Sequence, residues 1–175
     1  REAIGAMLDA IAHAQHSVRL ETFIFHADQT GDAFRQALLA AQRRGVRVRV
    51  MCDAFGSFSL PKSYWNEFVA AGGEFRWFNP LHIQRIVYRD HRKILVVDDE
   101  LAFIGGLNIG EEYGGDGVTS GWRDLGLRIE GAPARQLADA FNDLFVRADG
   151  RHRHFQRIRR TRADEVVAGR DWKLL

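Results

Sequence analysis

His91, Lys93 and Asp98 stand in the spacing H-x-K-x4-D, and Gly105, Gly106 and Asn108 follow closely. An imidazole and an ammonium two residues apart in an extended chain point to the same side, because side chains alternate. Such a pair suits a phosphodiester. A neutral imidazole nitrogen at His91 can attack phosphorus and form a phosphohistidine, which divides one displacement into two easier ones. Lys93 can hold non-bridging oxygens and stabilise the charge that develops on them. Asn108 can donate an amide N–H to the same oxygens, and Gly105 and Gly106 allow close backbone approach because they lack a Cβ. Asp98 lies five residues from Lys93, so alternation puts it on the opposite face unless the strand has ended.

The elements around this motif read as a strand-and-helix alternation. Ile4, Met7, Leu8 and Ile11 recur at helical spacing. Ser17 to Phe25 is rich in β-branched and aromatic residues and reads as a strand. A second helix is expected from Asp32 as its cap to Gly45 as its stop, then a strand from Val46 to Asp53. Pro61 should open a third helix, with Gly72 and Gly73 closing it before a short strand from Glu74 to Phe78. Lys93 to Val97 and Leu101 to Ile104 flank Asp98-Asp99-Glu100 as a hairpin. A strand from Trp122 to Ile129 and a helix from Pro133 complete the pattern. The expected class is α/β: a mixed, largely parallel sheet with helices on both faces. Residues 1–148 form the catalytic unit, and 149–175 a basic tail or linker.

Composition narrows the partners. The length of 175 residues suits one domain. No apolar run approaches the roughly 18 residues of a spanning helix. The chain starts with Arg1 and shows no signal peptide, so a fragment of a longer protein is expected. The net charge of +2 conceals an asymmetry, because six arginines and no acid lie between Arg151 and Arg162. Outside that tail the chain is formally acidic, which argues against a nucleic-acid groove. The tail itself reads either as a contact for anionic lipid headgroups or as a solvated linker. Cys52 is the sole cysteine, and the seven histidines form no HExxH and no Cys/His pairing, so no metal or other cofactor is expected.

The run Tyr88 to Asp98 with Gly105-Gly106-x-Asn108 resembles the phospholipase D superfamily, and within it the cardiolipin synthase-like phosphatidyltransferases. Phe23-Ile24-Phe25, the stretch Ala40 to Val48, and Trp122-Arg123-Asp124 extend the likeness from about Ile4 to Phe145. The resemblance implies transfer of a phosphatidyl group between two phosphatidylglycerol molecules, with a phospholipase D-type phosphodiesterase or nuclease as the alternative. It implies a supporting role for Asp98, which is grouped with His91, Lys93 and Asp124 as the catalytic set. It makes Asp124 the acceptor for the His91 Nδ1 proton. Glu21 is a weaker candidate for a group facing the site, and His26, Asp28 and Gly31 match the family's strand-end pattern. Relatives use two such motifs across a pseudo-two-fold axis, because one histidine cannot both attack phosphorus and protonate the opposite leaving group. A second half is therefore expected, in missing sequence rather than through homodimerisation, and the lone fragment is expected to be inactive. Anionic phospholipid and a membrane surface, at the cytoplasmic face of a bacterial inner membrane, complete what the resemblance implies.

Overall fold

A computed structural model describes residues 2–80, 89–115, 118–122 and 124–148. The basic tail, His82 and Arg123 therefore lie outside the described residues. The order is α1 (Glu2–His13), β1 (Ser17–Thr22), α2 (Gln29–Arg43), β2 (Arg47–Asp53), α3 (Asn66–Ala70) and β3 (Glu74–Phe78). It continues through β4 (Ile94–Val97), β5 (Leu101–Gly105), a 3-10 turn (Glu111–Tyr113), β6 (Gly126–Glu130) and α4 (Ala132–Ala148). One six-stranded sheet has the order β3-β2-β1-β4-β5-β6.

The sheet is mixed. β1, β2 and β3 run parallel, because a helix-bearing crossover joins each to the next. Parallel pairing stops at β1: β4 lies antiparallel to it, and the β4–β5 hairpin and β6 continue antiparallel. Both faces are covered. Val18, Leu20, Val48, Val50, Leu95 and Val97 pack with α1 and α2 through Ile11, Phe34 and Leu38. On the other face Ile94, Val96 and Ala102 meet Ala134 and Ala138 of α4, and Met51 meets Phe141 and Phe145. Alternation along β4 thus sends odd and even positions to different helical layers.

Several element ends differ from the expectations, each for a local reason. Asp28, not Asp32, caps α2, with its Oδ1 accepting the Gly31 N–H at 2.8 Å. Asp32 lies in the first turn and accepts the Tyr64 hydroxyl at 2.8 Å. Pro61 opens tight turns rather than a helix, since Tyr64 and Asn66 donate to carbonyls three residues back. β1 ends at Thr22 because side chains replace the ladder beyond it. Asn108 Oδ1 accepts the Ile24 N–H at 3.0 Å, and Ser57 Oγ accepts the Phe25 N–H at 2.9 Å.

Asp98 lies in the β4–β5 turn with φ 54°, a left-handed conformation that aspartate tolerates better than most residues. Its Oδ1 accepts the His16 and Ser17 N–H groups at 2.7 and 2.8 Å, and its Oδ2 accepts that of Gln15 at 2.8 Å. Partial burial works against its charge, but these donors outweigh burial and hold the carboxyl below its ordinary value. The stability it contributes is present above the unfolded-state pKa and lost as pH falls through the depressed folded-state one. Asp98→Ala leaves three backbone donors unpaired, and a loss of about 2 kcal/mol in urea unfolding is the expected result. An unchanged midpoint would remove Asp98 from the scaffold.

Candidate active site

His91, Lys93 and Asn108 gather where the parallel strands β1 and β2 end, an edge of α/β sheets that commonly forms a crevice. β4 begins only at Ile94, whose partners are Glu21 and Ile104, so His91 to Lys93 run past the paired ladder. Phe23 is their common floor. The His91 ring lies 4.8 Å from the Phe23 ring, inclined at 51°, and Lys93 Nζ lies 5.3 Å from the same centroid. Phe23 is held from below: Ser57 Oγ donates to its carbonyl at 3.0 Å. Gly56 presses against it so closely that any Cβ would collide with the Phe23 carbonyl.

His91 is exposed, whereas Lys93 is 8% exposed. Lys93 Nζ donates to the His91 carbonyl at 2.7 Å. That bond ties the ammonium to the His91 backbone. Burial lowers the Lys93 pKa from its ordinary value, and the Asp90 and Asp124 carboxylates push it back up. Asn108 is buried and has its amide oxygen committed to Ile24, so its NH2 is the end left to donate to a ligand.

Asp124 takes a different position from the expected one. Its Oδ1 accepts the Leu125 N–H at 2.8 Å, and among the described residues no hydrogen bond joins it to His91. Its carboxylate lies against Gly106, where a Cβ would overlap it, and its field reaches Lys93. The close approach at Gly105 and Gly106 therefore admits the segment carrying Asp124 and Leu125. Asp98 lies at the far end of β4 from His91, among the α1–β1 backbone donors described above.

Three groups near the site have partners that local spacing does not reveal. Phe23 looks like one more apolar strand residue, and only its departure from the ladder makes it a floor. Glu21 is wholly buried, and its carboxylate is paired with Arg92. A carboxylate inside an apolar strand, with an arginine between His91 and Lys93, was the available signal for that pair. His26, Asp28 and Glu112 bring one metal-type donor atom each within 4.8 Å of one another, across two loops. Their polar atoms already have partners: Asp28 caps α2 and accepts the Glu111 N–H at 2.8 Å, and His26 Nδ1 lies 3.1 Å from Glu112. They join the β1–α2 turn to the 3-10 turn.

An apolar cleft of about 250 Å³ runs beside the motif. Ala3, Met7, Phe103, Leu107 and Leu127 line it, with Lys93 among its few polar walls. Next to it, Trp122, Leu125 and Leu127 are 69%, 73% and 54% exposed along the outer strand β6 and its lead-in. Among the described residues no helix is long and apolar enough to cross a membrane.

A family described as "Cardiolipin synthase, PLD-like domain" matches residues 7–145. A cardiolipin synthase of Geobacillus thermodenitrificans is 40% identical over 141 residues, which is 78% of this chain and 28% of that protein. Cardiolipin synthase 2 of Bacillus anthracis is 39% identical, over 78% of this chain and 27% of its own. The chain thus spans little more than a quarter of these relatives. Among solved structures, a phosphatidylserine synthase of Haemophilus influenzae superposes with a TM-score of 0.66 at 16% identity, covering 81% of this chain and 34% of that one. Nuc of Salmonella typhimurium, a phospholipase D family member, superposes at 0.59 with 21% identity, covering 81% and 86%. At these identities the two structures speak for the fold.

Proposed function

Because the chain belongs to the family of cardiolipin synthase phospholipase D-like domains, we propose that it is one half of a phosphatidyltransferase site whose nucleophile is His91. The observation that carries this reading is the exposed His91 imidazole beside the buried Lys93 ammonium, both over Phe23 at the open end of the sheet. A His91 ring nitrogen attacks the phosphorus of phosphatidylglycerol, forming an N–P bond as the P–O bond to the glycerol headgroup breaks. Lys93 and the Asn108 NH2 stabilise the phosphoryl oxygens during displacement. The departing alkoxide takes its proton from an acid on a second half. The hydroxyl of a second phosphatidylglycerol then attacks phosphorus, gives its proton to that same group, and the N–P bond breaks. Cardiolipin and glycerol result.

The apolar cleft beside Lys93 supports a substrate that is greasy next to its phosphate, rather than a nucleic acid strand. The uncovered Trp122, Leu125 and Leu127 support a second half that covers this edge, since large apolar side chains grouped on a surface mark contacts. Asp124 acts here as a counter-charge to Lys93. A lipid surface at the cytoplasmic face of a bacterial inner membrane is the proposed working place. The test is to incubate the product of the complete reading frame with phosphatidylglycerol and with DNA, with no added metal. Cardiolipin and glycerol are the expected products. Cleaved DNA with no lipid product would replace this reading by the nuclease one.

The Lys93 environment predicts a pH dependence. Lys93 assists while charged, and burial lowers its pKa, so activity should fall on the alkaline side below the ordinary lysine range. Asp90→Asn removes a charge that helps keep the proton on, so this limb should move to still lower pH. A limb unmoved in that variant would show that another group titrates.

A further inference from the structure

Glu21 is 0% exposed on β1, beside Leu20 and in register with the apolar Met51 and Ile94. A carboxyl in that position is costly unless it is partnered. Its partner is Arg92, whose Nε and terminal NH2 donate to Oε1 and Oε2 at 2.6 and 3.0 Å. Glu21 pairs in register with Ile94 and Met51, residues that pack on the α4 side, so this contact forms behind the sheet from His91 and Lys93. A second tie lies one residue before His91. Asp53 Oδ2 accepts the Asp90 N–H at 3.0 Å, while its Oδ1 is held by the Phe55 and Gly56 N–H groups at 2.9 and 3.0 Å. Asp90 Oδ1 in turn accepts the Arg92 N–H at 3.2 Å.

The residues on both sides of His91 are thus fastened from the reverse face. The sheet ladder begins only at Ile94, so no strand pairing holds residues 90 to 93. Among the described residues the His91 ring has no hydrogen-bond partner that would orient it.

We propose that Glu21 is a positioning residue for the reaction at His91, acting through Arg92 and Asp90 to hold His91 and Lys93 towards the cleft. The proposal rests on His91 being the nucleophile. Displacement of a reacting group by about 1 Å costs on the order of 100-fold in rate, so a clamp of this kind has a large effect on turnover and a small one on substrate binding. Burial and then the neighbouring Asp90 push the Glu21 carboxyl up to about 9, against the pull of Arg92. The neighbouring Asp90 Oδ2 is buried with no hydrogen-bond partner among the described residues. Glutamine keeps an oxygen to accept from Arg92 and adds an NH2 able to donate to Asp90. Leucine does neither.

The test compares E21Q, E21L and the double variant E21L/R92L in the product of the complete reading frame. Its readouts are kcat, KM, the thermal midpoint and amide hydrogen exchange at Asp90 and Arg92. E21L should lose about 100-fold in kcat with KM within about twofold, and its two amides should exchange about tenfold faster or more. E21Q should stay within about threefold of wild type in all of these. The double variant removes both partners, so the midpoint should recover while kcat does not. Unchanged exchange in E21L, or recovery of kcat together with stability in the double variant, would overturn the proposal. If wild type were inactive on every phosphodiester, the functional reading would fall, while the exchange arm would still decide whether Glu21 clamps the motif.

Discussion

His91→Ala in the complete protein is expected to lose roughly 10^4-fold or more in kcat, with the acid-labile phosphorylated species gone. That loss corresponds to about 5.5 kcal/mol of transition-state stabilisation. The size follows from the role: removing a nucleophile closes the two-step route, and what remains is binding and polarisation at Lys93 and Asn108. His91 is exposed and, among the described residues, its ring has one aromatic contact, a tilted one with Phe23, so the variant should fold with an unchanged thermal midpoint. Rapid acid quench after mixing with phosphatidylglycerol, followed by detection of protein-bound phosphate, is the direct measurement. Persistence of that species in His91→Ala would move the nucleophile elsewhere, most simply to the second half.

Lys93→Met should lower kcat by about 10^2- to 10^3-fold while KM changes little, because the ammonium is worth most when charge accumulates on the non-bridging phosphoryl oxygens. Stability should move the other way or not at all. Lys93 is 8% exposed, and a methionine of similar length removes a desolvated charge from that place. The opposed signs distinguish a catalytic cation from a structural one. Lys93→Arg is expected to recover little, since a planar guanidinium does not fit where a compact ammonium bonds the His91 carbonyl at 2.7 Å. A Lys93→Met protein with near-normal kcat would reject the role outright.

The elements near the site show where local reading stops. The β1–α2–β2–α3–β3 order and the β4–β5 hairpin follow from alternation, periodicity and turn residues. The cap of α2 does not: Asp28 and Asp32 are equally suitable types, and the turn that leaves β1 selects Asp28. A mixed sheet is legible from the β4–β5 hairpin, but nothing within β4 declares that it will pair antiparallel with β1; its insertion between β1 and β5 decides that. The family resemblance puts Asp124 beside His91, whereas in the fold its carboxylate lies against Gly106 and accepts the Leu125 N–H.

By itself the sequence placed His91 and Lys93 in one short motif whose residue types and spacing suit a phosphodiester. Those properties live in residue type and short spacing, which the backbone repeat converts directly into a shared face. Tertiary structure alone decided what lies under and behind those residues: Phe23 as floor, Asn108 locked by Ile24, Glu21 and Asp53 fastening the chain around His91. Each of these contacts joins positions far apart in the chain, and each is set by which side chains the folded core leaves without another partner. Burial creates that demand, and burial is a property of the whole fold.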